Sequence, residues 1–211
     1  MERPVGVALL RRRALGVGGG RRAGSPAAWV AVMLALLAPA APPALQAQGF
    51  LTQKEALSLA FPGAERVERR TAYLDDAQMG RARELAGEDV EIPSGIITYY
   101  VGWKNGAPTG AAYFDTQRVR THPQVLMVVV DSAGAVEQVE VVRFAEPPEY
   151  APPRGWIARF LGRVLNRDLS LKADVATLTG ATLTARATTK AVRRVLALHR
   201  VISPLGEEAG R

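Results

Sequence analysis

Four β-forming runs joined by short turns, with helical patterns on either side, predict an α+β fold for this 211-residue chain. The expected architecture is a small antiparallel sheet with flanking helices and a long C-terminal amphipathic helix. Three observations carry it. Residues 96–103, 110–119, 125–130 and 136–144 are rich in β-branched and aromatic side chains. The links Lys104-Asn105-Gly106 and Asp131-Ser132-Ala133-Gly134 are hairpin-type turns, too short for parallel crossovers. Over residues 183–202, Leu183, Ala187, Ala191, Val195 and Leu198 recur at helical spacing, and Val192 and Leu196 widen the stripe.

Residues 50–61 read as a short helix, with Thr52 as N-cap, Glu55 three positions on, and Pro62-Gly63 closing it. Residues 64–74 are extended around Val67, Thr71 and Tyr73. A polar helix follows over 75–86 and Gly87 ends it. Beyond the sheet, the proline-rich stretch 147–153 gives way to 155–165, where Trp156, Phe160, Leu161 and Val164 stand at helical spacing. Residues 166–178 are a connector. Arg186, Lys190, Arg193 and Arg194 occupy the outer side of the last helix, read as a solvated face or, alternatively, a docking surface for an acidic partner. The chain contains no internal repeat.

Composition narrows the chemistry. The chain has no cysteine, which excludes disulfide scaffolds, thiolate zinc, iron–sulfur clusters and thiol nucleophiles. Its two histidines, His122 and His199, cannot make a histidine-rich metal site. The net charge of +7 is concentrated at one end. Residues 1–47 carry six arginines and one acid, which is 6 − 1 = +5, and the rest holds 21 Lys+Arg against 19 Asp+Glu, only +2. A polyanion partner such as nucleic acid is therefore not indicated.

Those first 47 residues read as an address. Arg11, Arg12, Arg13, Arg21 and Arg22 precede the apolar run 27–38, which Pro39, Pro42 and Pro43 interrupt before the small-residue stretch ending at Ala47. This is the pattern of a secretory signal, and the run is shorter than the roughly 20 residues of a spanning helix. The expected organisation is an export signal over 1–47, an N-terminal helical and extended segment over 48–94, the domain core over 95–203, and a tail over 204–211. The mature protein is expected in the periplasm or on the extracytoplasmic face of the membrane.

The segment with chemical character is Thr179-Gly180-Ala181-Thr182-Leu183-Thr184, at the start of the last helix. Gly180 permits a tight turn and Ala181 adds little bulk. Backbone N–H groups in a helix's first turn lack internal partners, and the dipole there favours an anion such as phosphate. Thr182 is the accessible hydroxyl nucleophile of the segment. The plainer alternative is that Thr182 only caps the helix.

This hexapeptide resembles the [Ser/Thr]-Gly-Ala-Thr flavinylation motif of FMN-binding domains. Such domains include the G subunit of Rnf-type electron-transport complexes and the C subunit of the sodium-pumping NADH:quinone reductase. Glu146-Pro147 and the stretch from Trp156 through Phe160 to Gly162 resemble two further family features, in the same order, within a likeness spanning about Gly95 to Leu198. The resemblance implies FMN esterified through its phosphate to Thr182. A magnesium-dependent flavin transferase would attach it outside the cytoplasm, with FAD as donor. It also implies cofactor contacts from Thr179, Gly180, Ala181, Leu183, Thr184 and Glu146. Ala176 stands where the family carries an acid, and Pro148-Glu149-Tyr150 where it has a glycine.

The implied function is an exported electron carrier serving a redox protein or a membrane electron-transport complex. A non-covalent flavin-dependent reductase and an exported non-redox binding module are the alternatives. Tyr99, Tyr100, Trp103, Tyr113 and Phe114 read as sheet packing, with flavin stacking as the alternative. Trp156 and Phe160 read as core, His122 as a surface loop residue, and Glu146 as either a solvated turn residue or a flavin neighbour. Asp115, Glu137 and Glu140 form no catalytic pair.

Overall fold

The computed structural model describes residues 51–167, 169–170 and 180–206. The expected signal over 1–47, Ala176, Thr179 and most of the 166–178 connector lie outside the described residues. The chain runs α1 (Gln53–Ala60), β1 (Arg66–Tyr73), α2 (Asp76–Ala86), β2 (Ile96–Lys104), β3 (Ala107–Arg118), β4 (Pro123–Asp131), β5 (Val136–Phe144), a short α3 (Arg154–Ile157) and α4 (Thr182–Ile202). The five strands form an antiparallel meander in the order β1-β2-β3-β4-β5. This is the α+β fold expected, with the 64–74 segment supplying an edge strand.

Local chemistry sets the ends of the elements. Thr52 and Glu55 form a reciprocal capping box on α1, and Asp75 and Gln78 form a second on α2. Asn105 and Gly106 both adopt positive φ, 53° and 73°, as the tight β2–β3 hairpin requires. In the β4–β5 turn, Asp131 Oδ1 accepts from the N–H groups of Ala133 (2.8 Å) and Ala135 (2.9 Å).

Each sheet face buries a separate cluster. On one, Tyr99, Val101, Ala111, Tyr113, Val128, Val130 and Val139 meet Ala185, Val192, Val195 and Leu196 of α4. On the other, Tyr100, Ala112, Met127, Val129 and Val142 meet Ala56, Ala60 and Phe61. The alternation of neighbouring residues between clusters is the period-2 signature of a sheet covered on both sides. α2 packs beside α4 through Met79, Ala82, Ala86, Ala197 and Leu198, so its polar sequence still hides an apolar stripe.

Two expectations need correction. The single helix expected over 155–165 is instead α3 followed by a 3₁₀ turn (Ala158–Phe160). Gly162 adopts φ +72°, and its N–H bonds to Val136 O at 2.8 Å while Val136 N–H bonds to Arg163 O at 2.8 Å. Pairing with the start of β5 outcompetes helical continuation, and Leu161 and Val164 are left about half exposed. Arg193 and Arg194 are not a solvated face. Arg193 donates to the carbonyls of Ala86, Asn166 and Leu169. Arg194 grips Asp115 at 2.6 and 2.9 Å and donates to Glu91 O at 2.6 Å. Asp115 lies on β3 just past Tyr99↔Tyr113, where β2–β3 pairing ends, so this ion pair ties α4 to β3 beyond that pairing.

Gly102 shows how closely α1 approaches the sheet. A Cβ built there would stand 2.3 Å from Cδ1 of Phe61. Gly102→Ala should therefore destabilise the domain by about 1–3 kcal/mol in urea unfolding. In a Phe61→Leu background the same substitution should cost less.

Candidate functional site

The flavinylation-like segment ends at the start of α4, and the described part has a defined geometry. Gly180 adopts φ +82°, a conformation that L side chains rarely take. Among the described residues nothing lies within 4 Å of a Cβ built there, and the backbone conformation by itself favours glycine. Ala181 is the N-cap residue and no side chain hydrogen-bonds at the cap. Its own side chain is buried, which holds the turn against the domain. Thr182 is the first helical residue and is exposed. The N-cap role considered for Thr182 therefore falls to Ala181.

The two residues that follow diverge. Leu183 is 46% exposed, so it does not begin the buried stripe as its spacing suggested. Thr184 is buried and donates from Oγ1 to Tyr150 O at 2.8 Å. That bond ties the first turn of α4 to the proline-rich stretch after β5. No acidic residue stands in this turn, so the positive end of the helix dipole is not neutralised from within the helix. An exposed first residue, an N-cap without a side-chain hydrogen bond and a first turn free of acids make this helix start suitable for an anion.

Glu146 is not the solvated turn residue that one reading of its sequence offered. Its side chain is buried, and Oε1 accepts from the backbone N–H groups of Arg120 (3.0 Å), Thr121 (2.7 Å) and His122 (2.9 Å). His122 is an exposed loop residue, as expected, with Nδ1 3.4 Å from Oε2 of Glu146. The N–H of His122, followed by those of Thr121 and Arg120, lowers the Glu146 carboxyl to about 2 against the opposition of burial. The β3–β4 loop is thus folded around a carboxylate. Arg120 in turn lies over the Tyr150 ring, 4.6 Å from its centroid. A chain of contacts therefore runs from Glu146 through the loop and Tyr150 to Thr184.

The aromatic residues fall into the core or the sheet. Trp156 and Phe160 meet edge to face at 5.3 Å inside the cluster beneath α4. Tyr99 and Tyr113 stack on that same face, and Tyr100 and Phe114 meet edge to face. Arg66 covers Trp103 at 4.2 Å. The sequence reading missed Gln117 and Gln124, which face each other across β3 and β4. Gln124 Nε2 donates to Thr188 Oγ1 of α4 at 3.1 Å, while Gln124 Oε1 and Gln117 Nε2 are buried with no hydrogen-bond partner among the described residues. Their sole sequence signal is a polar residue at an inward strand position. Among the described residues no group of three His, Cys, Asp or Glu could hold a metal.

Because the Glu146 carboxyl is lowered in the folded state, the unfolded chain binds the extra proton first as pH falls. The stability it confers is complete above about 4.5 and is lost toward 2. Glu146→Gln keeps an acceptor oxygen but removes the titration. Urea unfolding between pH 5 and 2 should show a shallower acid loss in that variant.

No curated protein matches the chain. Residues 122–197 match the family model of the FMN-binding domain. The matched segment includes Glu146, Trp156, Phe160 and Thr182, the residues on which the resemblance rested. Over residues 122–197 the chain is thus similar to an FMN-binding domain, which supports a flavin-binding protein with FMN as its cofactor.

Proposed function

We propose that the protein is an exported electron carrier whose FMN is joined by a phosphoester bond to Thr182 Oγ1. The single observation that carries this is Thr182 itself. It is exposed at the first position of α4, behind a positive-φ glycine and an N-cap without a side-chain acceptor, and within the segment matched to the FMN-binding family. Attachment by a flavin transferase would form the bond from Thr182 Oγ1 to the FMN phosphate of FAD, with AMP as leaving group and the hydroxyl proton lost.

The chain's own contributions follow from the geometry. Gly180 turns the backbone so that Thr182 projects from the helix end, and the buried Ala181 fixes that turn. The helix dipole and first-turn N–H groups offset phosphate charge. Thr184 holds the turn to Tyr150, and Glu146 organises the loop on which Arg120 sits. When bound, FMN supplies one- or two-electron chemistry, and anchoring it by the phosphate leaves its ring system accessible to a partner. The basic, then apolar, segment 1–47 supports export. Among the described residues no helix is long and apolar enough to cross a membrane. The partner is accordingly a redox protein or membrane complex that meets the domain outside the cytoplasm.

Coexpression with a flavin transferase tests the anchor. The parent should gain an FMN-sized mass and in-gel fluorescence that survives denaturation, and Thr182→Ala should show neither. An unmodified parent under those conditions would overturn covalent attachment.

A further inference from the structure

Tyr113 and His199 form a buried pair at the far end of α4 from Thr182. The Tyr113 side chain is 2% exposed on the sheet face beneath α4. Its hydroxyl oxygen lies 3.1 Å from Nδ1 of His199, and the two rings meet edge to face at 5.9 Å. From β2, Tyr99 stacks on Tyr113 with centroids 5.7 Å apart and planes inclined by 27°. The far side of His199 borders a cavity of about 570 Å³ between the β4–β5 turn and the chain that follows α4.

Burial controls the protonation of both groups. It lowers the His199 imidazole to about 4, and the negative charge of Asp131 offsets this only in part. It raises the Tyr113 phenol well above its ordinary value, with Tyr99 adding to the effect. At neutral pH the pair is a phenol beside an uncharged imidazole. Oxidation of a phenol makes it strongly acidic, so a buried phenol gives up an electron most readily when a hydrogen-bonded base takes its proton. His199 is the one base in hydrogen-bond contact with Tyr113 among the described residues.

We propose that Tyr113 is a redox-active tyrosine whose phenolic proton is held by His199. A one-electron outer-sphere oxidant takes the electron, the O–H bond breaks, and the proton moves to Nδ1 of His199. Re-reduction returns the electron to Tyr113 and the proton to its oxygen. Tyr99, stacked on Tyr113, is its nearest aromatic neighbour within the sheet face. The inference rests on this pair alone and is independent of flavin at Thr182.

The test uses the full chain and photogenerated tris(bipyridine)ruthenium(III) as oxidant, followed by freeze-quench electron paramagnetic resonance. A persistent tyrosyl radical should form in the parent and be absent from Tyr113→Phe. In His199→Phe its lifetime should fall by about tenfold or more, as loss of a positioned base requires. [¹⁵N]Histidine labelling of the parent provides a readout that needs no variant. The radical should show a nitrogen coupling that changes with the isotope. His122 contacts Thr121 and Glu146 and no tyrosine, so the coupling identifies His199. The proposal is overturned by a parent without a persistent radical, by a radical that survives Tyr113→Phe, by an unchanged lifetime in His199→Phe, or by a spectrum indifferent to the label.

Discussion

The seating of α4 on one face of the sheet is the constraint on which the other features depend. Ala185, Val192, Val195 and Leu196 complete the larger core cluster, and without them Val101, Val128 and Val130 would face water. The same helix carries Ala197 and Leu198 to α2, so two layers are organised by opposite parts of one surface. Arg193 and Arg194 lock its register through directional bonds to four carbonyls and to Asp115. Because those bonds have fixed geometry, they set where both ends of α4 stand, which apolar contacts alone specify less sharply. The position of Thr182 at one end and of His199 at the other follow from that single placement.

The Thr182 end is supported from a distance. Thr184 is bound to Tyr150, Tyr150 carries Arg120, and the loop containing Arg120 is wrapped on Glu146. A charged carboxylate accepting three backbone N–H groups is a strong local organiser, because each bond also satisfies a donor that the tight loop would otherwise leave unpaired. The glutamate-proline feature of the family resemblance thus coincides with a structural hub in this protein. Glu146 Oε1 is already occupied by the loop, which makes support of the motif its observed task.

Much of the architecture was legible because its signals are local. Asn105-Gly106, Asp131 through Gly134, and Thr52 with Glu55 encode turns and a cap within a few residues, and each forms as read. The alternation of the strand residues and the long helical stripe are equally local. The failures share one cause. Residues 155–165 have helical spacing, yet the backbone of Gly162 and Arg163 finds partners on Val136, which is remote in the sequence. Arg193 and Arg194 look like a charged face until the carbonyls of Ala86 and Glu91 are brought to them. Leu183 fits the apolar stripe by spacing, but the helix ends where the domain surface ends, and it remains exposed.

For the site, the order Glu146, Trp156, Thr182 and the amphipathic helix behind them sufficed to indicate the FMN-binding domain that the match over residues 122–197 supports. Residue type alone marked Thr182 as a hydroxyl at a helix start, because small residues, hydroxyls and a following apolar period are properties of the chain itself. Which residue caps the helix, where Thr184 points, what Glu146 holds, and that Tyr113 meets His199 were decided by tertiary structure. Each depends on partners between 24 and 86 positions apart or on a backbone angle. A one-dimensional pattern states which side chains can donate, accept or pack; only the folded chain determines which of them come within reach of one another.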